Sequence, residues 1–230
     1  CVECNTCYRV CRSEGKNPTA VRLARRFLKL FNVEYRPSPD VCPTGALVPP
    51  ELEWPRSLRR VFSDPTEPHE GTGVRGRGTE EIKTNEVTGR LREGQAGFVV
   101  ELGRPGTGAK FRDIEKMAMA LAAHMPHFQP KNPVTLLMAD VATGKLREEI
   151  LEEKVMSAII EFDAPIEQIP VFLACVDEVA GEIETVCSVG VACKCSPDGA
   201  IPTEPYIRLA GYEPSLNGKT NLGLGRPRNN

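Results

Sequence analysis

The sequence has 230 residues, of which 40% are hydrophobic and 26% are charged, and its formal net charge is −2. This composition is ordinary for a soluble globular protein of one or two domains. No apolar run is long enough for a transmembrane helix or a signal peptide, so we expect no membrane insertion. Nine cysteines are too few for a disulfide scaffold in a chain of this length. Reduced thiols without an export signal predict a cytoplasmic protein of an anaerobe or a microaerophile.

Five of the nine cysteines lie within the first 42 residues, at positions Cys1, Cys4, Cys7, Cys11 and Cys42. The first three are spaced two residues apart, so their thiolates converge only if the backbone wraps tightly around one object. The corner irons of a 4Fe–4S cluster match that spacing, and a remote Cys-Pro supplies the fourth ligand. Structural zinc sites usually combine two separated Cys-x2-Cys pairs, which makes zinc a poorer match. The neighbours Glu3, Asn5 and Thr6 are polar, which argues against cysteines that merely fill a core.

The run C-x2-C-x2-C-x3-C followed by the remote sequence CPTGA at 42–46 resembles the bacterial-type ferredoxins that carry 4Fe–4S clusters. The resemblance covers residues 1 to about 48. In two-cluster members Pro follows the fourth Cys of the run, whereas Arg12 follows it here and no second run exists. The resemblance to single-cluster ferredoxins therefore implies the ligands Cys1, Cys4, Cys7 and Cys42, with Cys11 unliganded. The rival ligand set Cys1, Cys4, Cys7 and Cys11 stays open, because all four residues are local.

Two segments follow the cysteine run. Asn17-Pro18 predicts the start of a helix over about Thr19 to Phe31, whose apolar face would pack on the cluster and exclude water. Residues 49–94 are rich in Pro and Gly and lack periodicity, which predicts a linker or an arm that becomes ordered against a partner. We expect its single tryptophan, Trp54, to seat this arm rather than bind a ligand.

Residues 95–195 alternate between strand and helix patterns. Predicted strands are 98–102, 134–139, 155–162 and 182–193, and predicted helices are 110–125 and 166–180. Pro170 is an alternative start for the second helix, because proline is disfavoured inside helices. The order β-α-β-β-α-β is that of the ferredoxin-like plait, a topological name that does not concern iron. Its element order also resembles ACT-type regulatory domains. Residues 196–230 lack periodicity and predict an extended tail. The expected fold class is thus α+β: a small 4Fe–4S domain, a long irregular arm and a plait.

The remaining candidate sites of the sequence are weaker. Gly103-x4-Gly108 departs from a P-loop because Ala109 replaces Lys and Phe111 replaces Ser or Thr, so we do not expect nucleotide hydrolysis. The four later cysteines, Cys175, Cys187, Cys193 and Cys195, are expected to be small buried hydrophobes, with a second metal centre as the alternative. The three histidines are scattered, and no Ser-His-Asp, Cys-His or paired-carboxylate pattern supports a catalytic site.

The sequence thus predicts low-potential one-electron transfer through a 4Fe–4S cluster. The chain would be a subunit or dedicated redox partner of a larger oxidoreductase complex, not its catalytic centre. The chain is longer than an electron carrier needs to be, and this extra length motivates its interpretation as a subunit. One alternative is a redox-sensing or effector-binding regulatory module that uses the plait, and another is a metal-dependent enzyme with one open iron. A homo-oligomer is compatible with the pattern, whereas a nucleic-acid partner is not expected because basic residues lack interleaved aromatics.

Overall fold

The computed structural model describes residues 53–62, 89–104 and 106–214, together with the isolated positions Leu23, Phe27, Leu30 and Phe31. The predicted 4Fe–4S domain, apart from those four positions, and residues 215–230 of the predicted tail therefore lie outside the described residues. Residues 196–214 of that tail are described, and they include a helix at Glu204–Leu209 instead of extended chain throughout. The strands of the described part are β1 (Gln95–Leu102), β2 (Ala109–Lys110), β3 (His127–Phe128), β4 (Met138–Asp140), β5 (Lys145–Leu146), β6 (Lys154–Val155), β7 (Ala158–Pro165) and β8 (Cys187–Cys193). Its α-helices are α1 (Leu58–Val61), α2 (Phe111–Ala122), α3 (Pro133–Leu136), α4 (Ile169–Ala180) and α5 (Glu204–Leu209).

The main sheet of this part of the chain has four strands in the order β3-β7-β1-β8, and all neighbouring strands are antiparallel. Along the chain its strands and the two long helices follow one another as β1, α2, β3, β7, α4 and β8. Two small antiparallel pairs, β2 with β6 and β4 with β5, lie outside this sheet. The α+β class that the sequence predicts is confirmed for the described residues.

The hydrophobic core lies on one face of the main sheet. The even-numbered residues of β1, from Ala96 to Leu102, and those of β7, from Ala158 to Ala164, are all buried there. Phe98 lies directly opposite Phe162 across the β1–β7 pair, and their rings stack at a centroid distance of 4.7 Å. Phe172 of α4 contacts both rings, at 5.2 and 4.8 Å. These three aromatic side chains therefore join the sheet to the helix layer.

The second predicted strand is wrong. The structure makes Pro133–Leu136 a helical turn, and only Met138 and Ala139 of the predicted 134–139 segment are extended. The cause is local, because the Asn132 side chain accepts a hydrogen bond from the Val134 N–H at 2.8 Å and Pro133 occupies the first turn. The second strand of the main sheet is instead His127–Phe128, which pairs with Asp163 and Phe162.

The other predicted elements differ from the structure mainly at their ends. Strand β7 runs from Ala158 to Pro165 rather than over 155–162, and β8 begins at Cys187 rather than at residue 182. The helix predicted over 166–180 has a short 3₁₀ turn at Ile166–Gln168 and becomes α-helical at Ile169, with Pro170 in its first turn. This start follows from the missing N–H of proline, which is tolerated only near a helix N-terminus.

Part of the predicted arm contacts the same core. Leu58 and Phe62 are buried, and the ring of Phe62 meets that of Phe111 edge-on at 5.4 Å. Arg59 Nε donates to Glu153 Oε2 at 2.5 Å, and both side chains are at most 10% exposed. Trp54 remains 46% exposed, with the Arg147 guanidinium 5.9 Å from its ring centroid. Residues 53–62 are thus held by two buried apolar side chains and one buried ion pair.

We expect Arg59→Leu to lower the free energy of unfolding by about 3 to 5 kcal/mol, because Glu153 then keeps a buried charge without this cation. Adding Glu153→Gln should recover part of the loss, since a neutral amide needs no cation. Arg112→Leu is the control, because the Arg112–Glu152 pair is 58% and 65% exposed and should contribute no measurable stability. Urea denaturation of the four proteins checks this, and equal losses for Arg59→Leu and Arg112→Leu would contradict it.

The turn between β4 and β5 packs directly on the backbone of α2. Gly144 has φ +71°, and a Cβ there would lie 2.4 Å from the carbonyl oxygen of Ala118. Leu146 N–H also donates to Glu115 Oε2 of α2 at 2.9 Å. Glycine at 144 is therefore required both by its backbone conformation and by the close approach of the helix.

Gly144→Ala should cost about 2 to 5 kcal/mol, which combines a left-handed alanine with a steric clash. Gly94→Ala is the matched control, because Gly94 has φ +78° with no atom within 4 Å of an added Cβ. That variant should lose only about 1 to 2 kcal/mol. Chemical denaturation measures both, and a loss at Gly144 no larger than that at Gly94 would show that the contact with Ala118 adds nothing.

Candidate functional site

The predicted ligands Cys1, Cys4, Cys7 and Cys42, and the alternative Cys11, lie outside the described residues. Of the helix predicted over Thr19 to Phe31, positions Leu23, Phe27 and Leu30 are described and are helical. The rings of Phe27 and Phe31 meet edge-on at 5.2 Å, and both side chains are exposed. These residues thus form an apolar pair on the surface, and the predicted packing of this helix on the cluster stays a prediction.

Three of the four later cysteines occupy positions that suit packing, whereas Cys195 is exposed and the expectation of burial is wrong for it. Cys175 is buried on α4, and Cys187 and Cys193 begin and end β8, where they are partly buried. Cys187 packs against the core together with Val189 and Val191, as the shared odd parity of these residues predicts. Cys195 lies beyond the strand and is exposed. Within residues 53–62, 89–104 and 106–214, no group of three or more His, Cys, Asp or Glu side chains is placed to hold a metal ion.

The environment of two of these cysteines disfavours the thiolate. Burial raises the pKa of Cys175, and the nearby carboxylate of Glu178 raises it further. Burial likewise raises the pKa of Cys187, with a smaller contribution from Asp177. The raised pKa favours the protonated thiol at both positions, and metals are ligated by the thiolate, so neither side chain is a favoured ligand. This supports their prediction as small buried hydrophobes.

The loop between β1 and β2 is a closed turn. Gly103 has φ +97°, and a Cβ there would lie 2.7 Å from the carbonyl oxygen of Met156. The N–H groups of Thr107 and Gly108 donate to the Gly103 carbonyl at 3.0 and 2.9 Å. Two amides that would face a phosphate in a cradle therefore point into the turn. The Thr185 hydroxyl donates to the Gly108 carbonyl at 2.7 Å, and this bond connects the loop to the residues just before β8.

A cluster of charged side chains lies on the face of the main sheet away from the core, where alternation places Glu161 and Asp163 of β7. Arg90 forms ion pairs with both carboxylates, and the Glu161 side chain has no exposed surface. His127 Nδ1 lies 3.0 Å from Asp163 Oδ1. With its amide oriented so that oxygen faces Arg90, Gln129 accepts from Arg90 Nη1 and Nε at 2.7 and 2.9 Å. This charged cluster holds Arg90 against β7 and against Gln129, which follows β3.

The charged cluster contains two parts of a general-base arrangement, because the Asp163 carboxylate orients His127, whose side chain is 70% exposed. Nucleophilic catalysis also needs a hydroxyl or thiol on that histidine. Among the described residues, the hydrogen bonds of His127 include none to a Ser, Thr or Cys side chain. The arrangement therefore supports an anchoring role. Sequence analysis missed it, although the alternation of Glu161 and Asp163 within an apolar strand was a usable signal.

No family model matches the chain, and no curated protein or solved structure is significantly similar to it. Within the described part of the chain, no helix combines the length and the apolar content that crossing a bilayer requires.

Burial perturbs Asp113, an acidic residue of α2. It lies in the first turn of the helix and is 6% exposed, and its Oδ1 is 3.5 Å from the Glu184 N–H. Burial raises the pKa of Asp113, the Glu184 amide opposes this shift, and the Glu184 carboxylate adds to it. The folded state thus binds this proton more tightly than the unfolded state, so stability falls as pH rises through the folded pKa.

We expect Asp113→Asn to be more stable than the wild type at pH 7, because the neutral amide avoids the cost of a buried charge. The gain should vanish below the ordinary pKa of aspartate, where the wild-type carboxyl is protonated in both states. Glu149→Gln, which removes an exposed negative charge, is the control and should show no such gain. Urea denaturation at several pH values measures the difference; a pH-independent effect would contradict the assignment.

Proposed function

We propose that the protein transfers single electrons at low potential through a 4Fe–4S cluster held by Cys1, Cys4, Cys7 and Cys42, as a subunit or dedicated partner of a larger oxidoreductase. The observation that carries this proposal is the spacing of the cysteines in the first 42 residues, with Pro43 after the last. When bound, the cluster would supply the one-electron chemistry, and hydrogen bonds to its sulfurs and its burial would set the potential.

The chemistry of the other cysteines supports this choice of ligands. Burial favours the protonated thiol at Cys175 and Cys187, whereas iron requires thiolates. The N-terminal cysteines have polar neighbours and the two-residue spacing that matches the edges of a cubane. The proposal thus assigns four N-terminal cysteines as ligands and treats Cys175 and Cys187 as packing groups.

The described residues suit a supporting role beside such a cluster. The order β1, α2, β3, β7, α4, β8 and the sheet order β3-β7-β1-β8 support an assignment of residues 95–195 to the split-βαβ plait. We propose that this plait and residues 53–62 orient the cluster domain against the redox partner. The same topology is the observation behind the alternative of an effector-binding module, because fold alone does not fix function.

Iron and acid-labile sulfide content, with electron paramagnetic resonance of the reduced protein, test the proposal on anaerobically purified chains. We expect about four irons per chain in the wild type. Cys42→Ala should lose the four-iron signal, whereas Cys11→Ala and the exposed Cys195→Ala should keep it.

Three other results would each be informative. Loss of the signal in Cys11→Ala but not in Cys42→Ala would replace the ligand set by the rival one. A protein that stays iron-free after reconstitution would rule out electron transfer through an iron–sulfur cluster. Stabilisation by an amino acid or nucleotide in thermal unfolding, with no iron bound, would favour the effector-binding module instead.

A further inference from the structure

Strand β8 forms one edge of the main sheet. It pairs with β1 on one side, and within the described residues no strand pairs with its other side. Its seven residues, Cys187 to Cys193, include neither a charged residue nor proline. Natural proteins generally protect an edge strand with charges, prolines or bulges, because its free N–H and C=O groups pair readily with another strand. An edge of this composition is suited to pairing.

The register of β8 shows which backbone groups face outward. Gly103 N–H donates to the Val186 carbonyl at 2.8 Å, directly beyond the pair of Leu102 with Cys187. Hydrogen-bonded and non-hydrogen-bonded pairs alternate in an antiparallel ladder. The backbone N–H and C=O groups of the even residues 188, 190 and 192 therefore also point toward β1. The odd residues therefore present their N–H and C=O groups to the open edge; they are Cys187, Val189, Val191 and Cys193.

The sequence of β8 is self-complementary around Gly190. Val189 and Val191 are equidistant from it, as are the small residues Ser188 and Ala192 and the two cysteines at the ends of the strand. A twofold axis between two copies of one strand pairs each residue with its mirror position in the antiparallel partner. Such an axis at Gly190 would pair like with like over the whole length of β8.

We propose that a second copy of this chain pairs with β8 about a twofold axis at Gly190, joining two four-stranded sheets into one continuous sheet. The outward-facing residues then meet their counterparts: Val189 lies opposite the partner's Val191, and Cys187 opposite the partner's Cys193. Each of these pairs exchanges two N–H···O bonds, whereas the central glycines form a non-hydrogen-bonded pair with Cα atoms about 4.5 Å apart.

The identity of the occupant follows from symmetry. A different protein would need only a compatible strand, and it would leave the matched spacing of valines and cysteines around Gly190 without a role. The pairing also needs no contribution from the N-terminal cysteines, so it is independent of the cluster proposal. A chain that binds iron as a monomer and a chain that dimerises without iron would each contradict one proposal and support the other.

Opposite charges at Gly190 test the axis. A Cβ at this position would meet only the Val99 Cβ, at 3.9 Å, so the single chain accommodates a side chain there. In the dimer, however, two like charges would face each other at the centre of the interface. We expect the wild-type full chain to sediment at twice the mass of the 25.2 kDa protomer. Gly190→Lys and Gly190→Glu should each sediment as monomers, and their equimolar mixture should recover the doubled mass.

Disulfide mapping of the wild type tests the register without any substitution. Within one chain Cys187 and Cys193 are separated by the length of β8, about 20 Å, which is far beyond the reach of a disulfide. Across the axis their Cα atoms would be about 5.5 Å apart, which permits one. Diamide treatment at roughly pH 9, chosen because burial raises the pKa of Cys187, should therefore yield a peptide that links Cys187 to Cys193. Cys187→Ser should abolish this linkage, and Cys195→Ser should retain it.

A wild type that sediments as a monomer overturns the proposal, as does a dimer that both Gly190 variants retain. A dimer without the Cys187–Cys193 linkage overturns the register and the axis with it. If the Gly190 variants do not fold, as judged by circular dichroism, the disulfide map of the wild type alone decides.

Discussion

The structure depends on β1, which hydrogen-bonds along its length to β7 on one side and β8 on the other. A strand paired on both sides cannot slip by one residue without moving its whole apolar set to the wrong face. The register therefore fixes Phe98 against Phe162 in the core and places β8 at the edge of the sheet. The helix layer, the charged cluster on the opposite face and the open edge are all consequences of this one pairing.

The two faces of the sheet are stabilised by different means. On the helix side the stacked aromatic rings and the aliphatic residues of α2 and α4 exclude water, so burial supplies the favourable free energy. On the other side Glu161 and Asp163 are buried carboxylates, which would be costly without Arg90. Arg90 precedes β1 in the chain, so its ion pairs hold the residues that lead into β1 against β7. The same logic applies to Arg59 and Glu153, which connect residues 53–62 to the segment before β6.

Local patterns carried the correct predictions, whereas non-local pairing produced features that no local pattern indicates. The apolar periodicity of α2, the proline at the start of α4 and the parity of Cys187 with Val189 are all visible within a few residues of sequence. The strand His127–Phe128 has only two residues, and it exists because β7 pairs with it, so no periodicity could reveal it. Arg59 and Glu153 are separated by 94 positions, and nothing in either neighbourhood indicates the other. The proposed cluster ligands at the N-terminus are visible in the sequence for the opposite reason, since three of them would be close neighbours in the chain.

The proposed function divides one residue type between two chemistries according to its context. Iron ligation requires thiolates that converge, which short spacing among polar residues favours. Packing requires a small apolar group, and a desolvated site holds the proton on sulfur, as at Cys175 and Cys187. A cysteine of the second kind still has a reactive atom, and its location decides whether another thiol can reach it. Among the described residues, the proposed twofold axis would bring the partner's Cys193 close to Cys187, so the packing role and the proposed interface are compatible at the same positions.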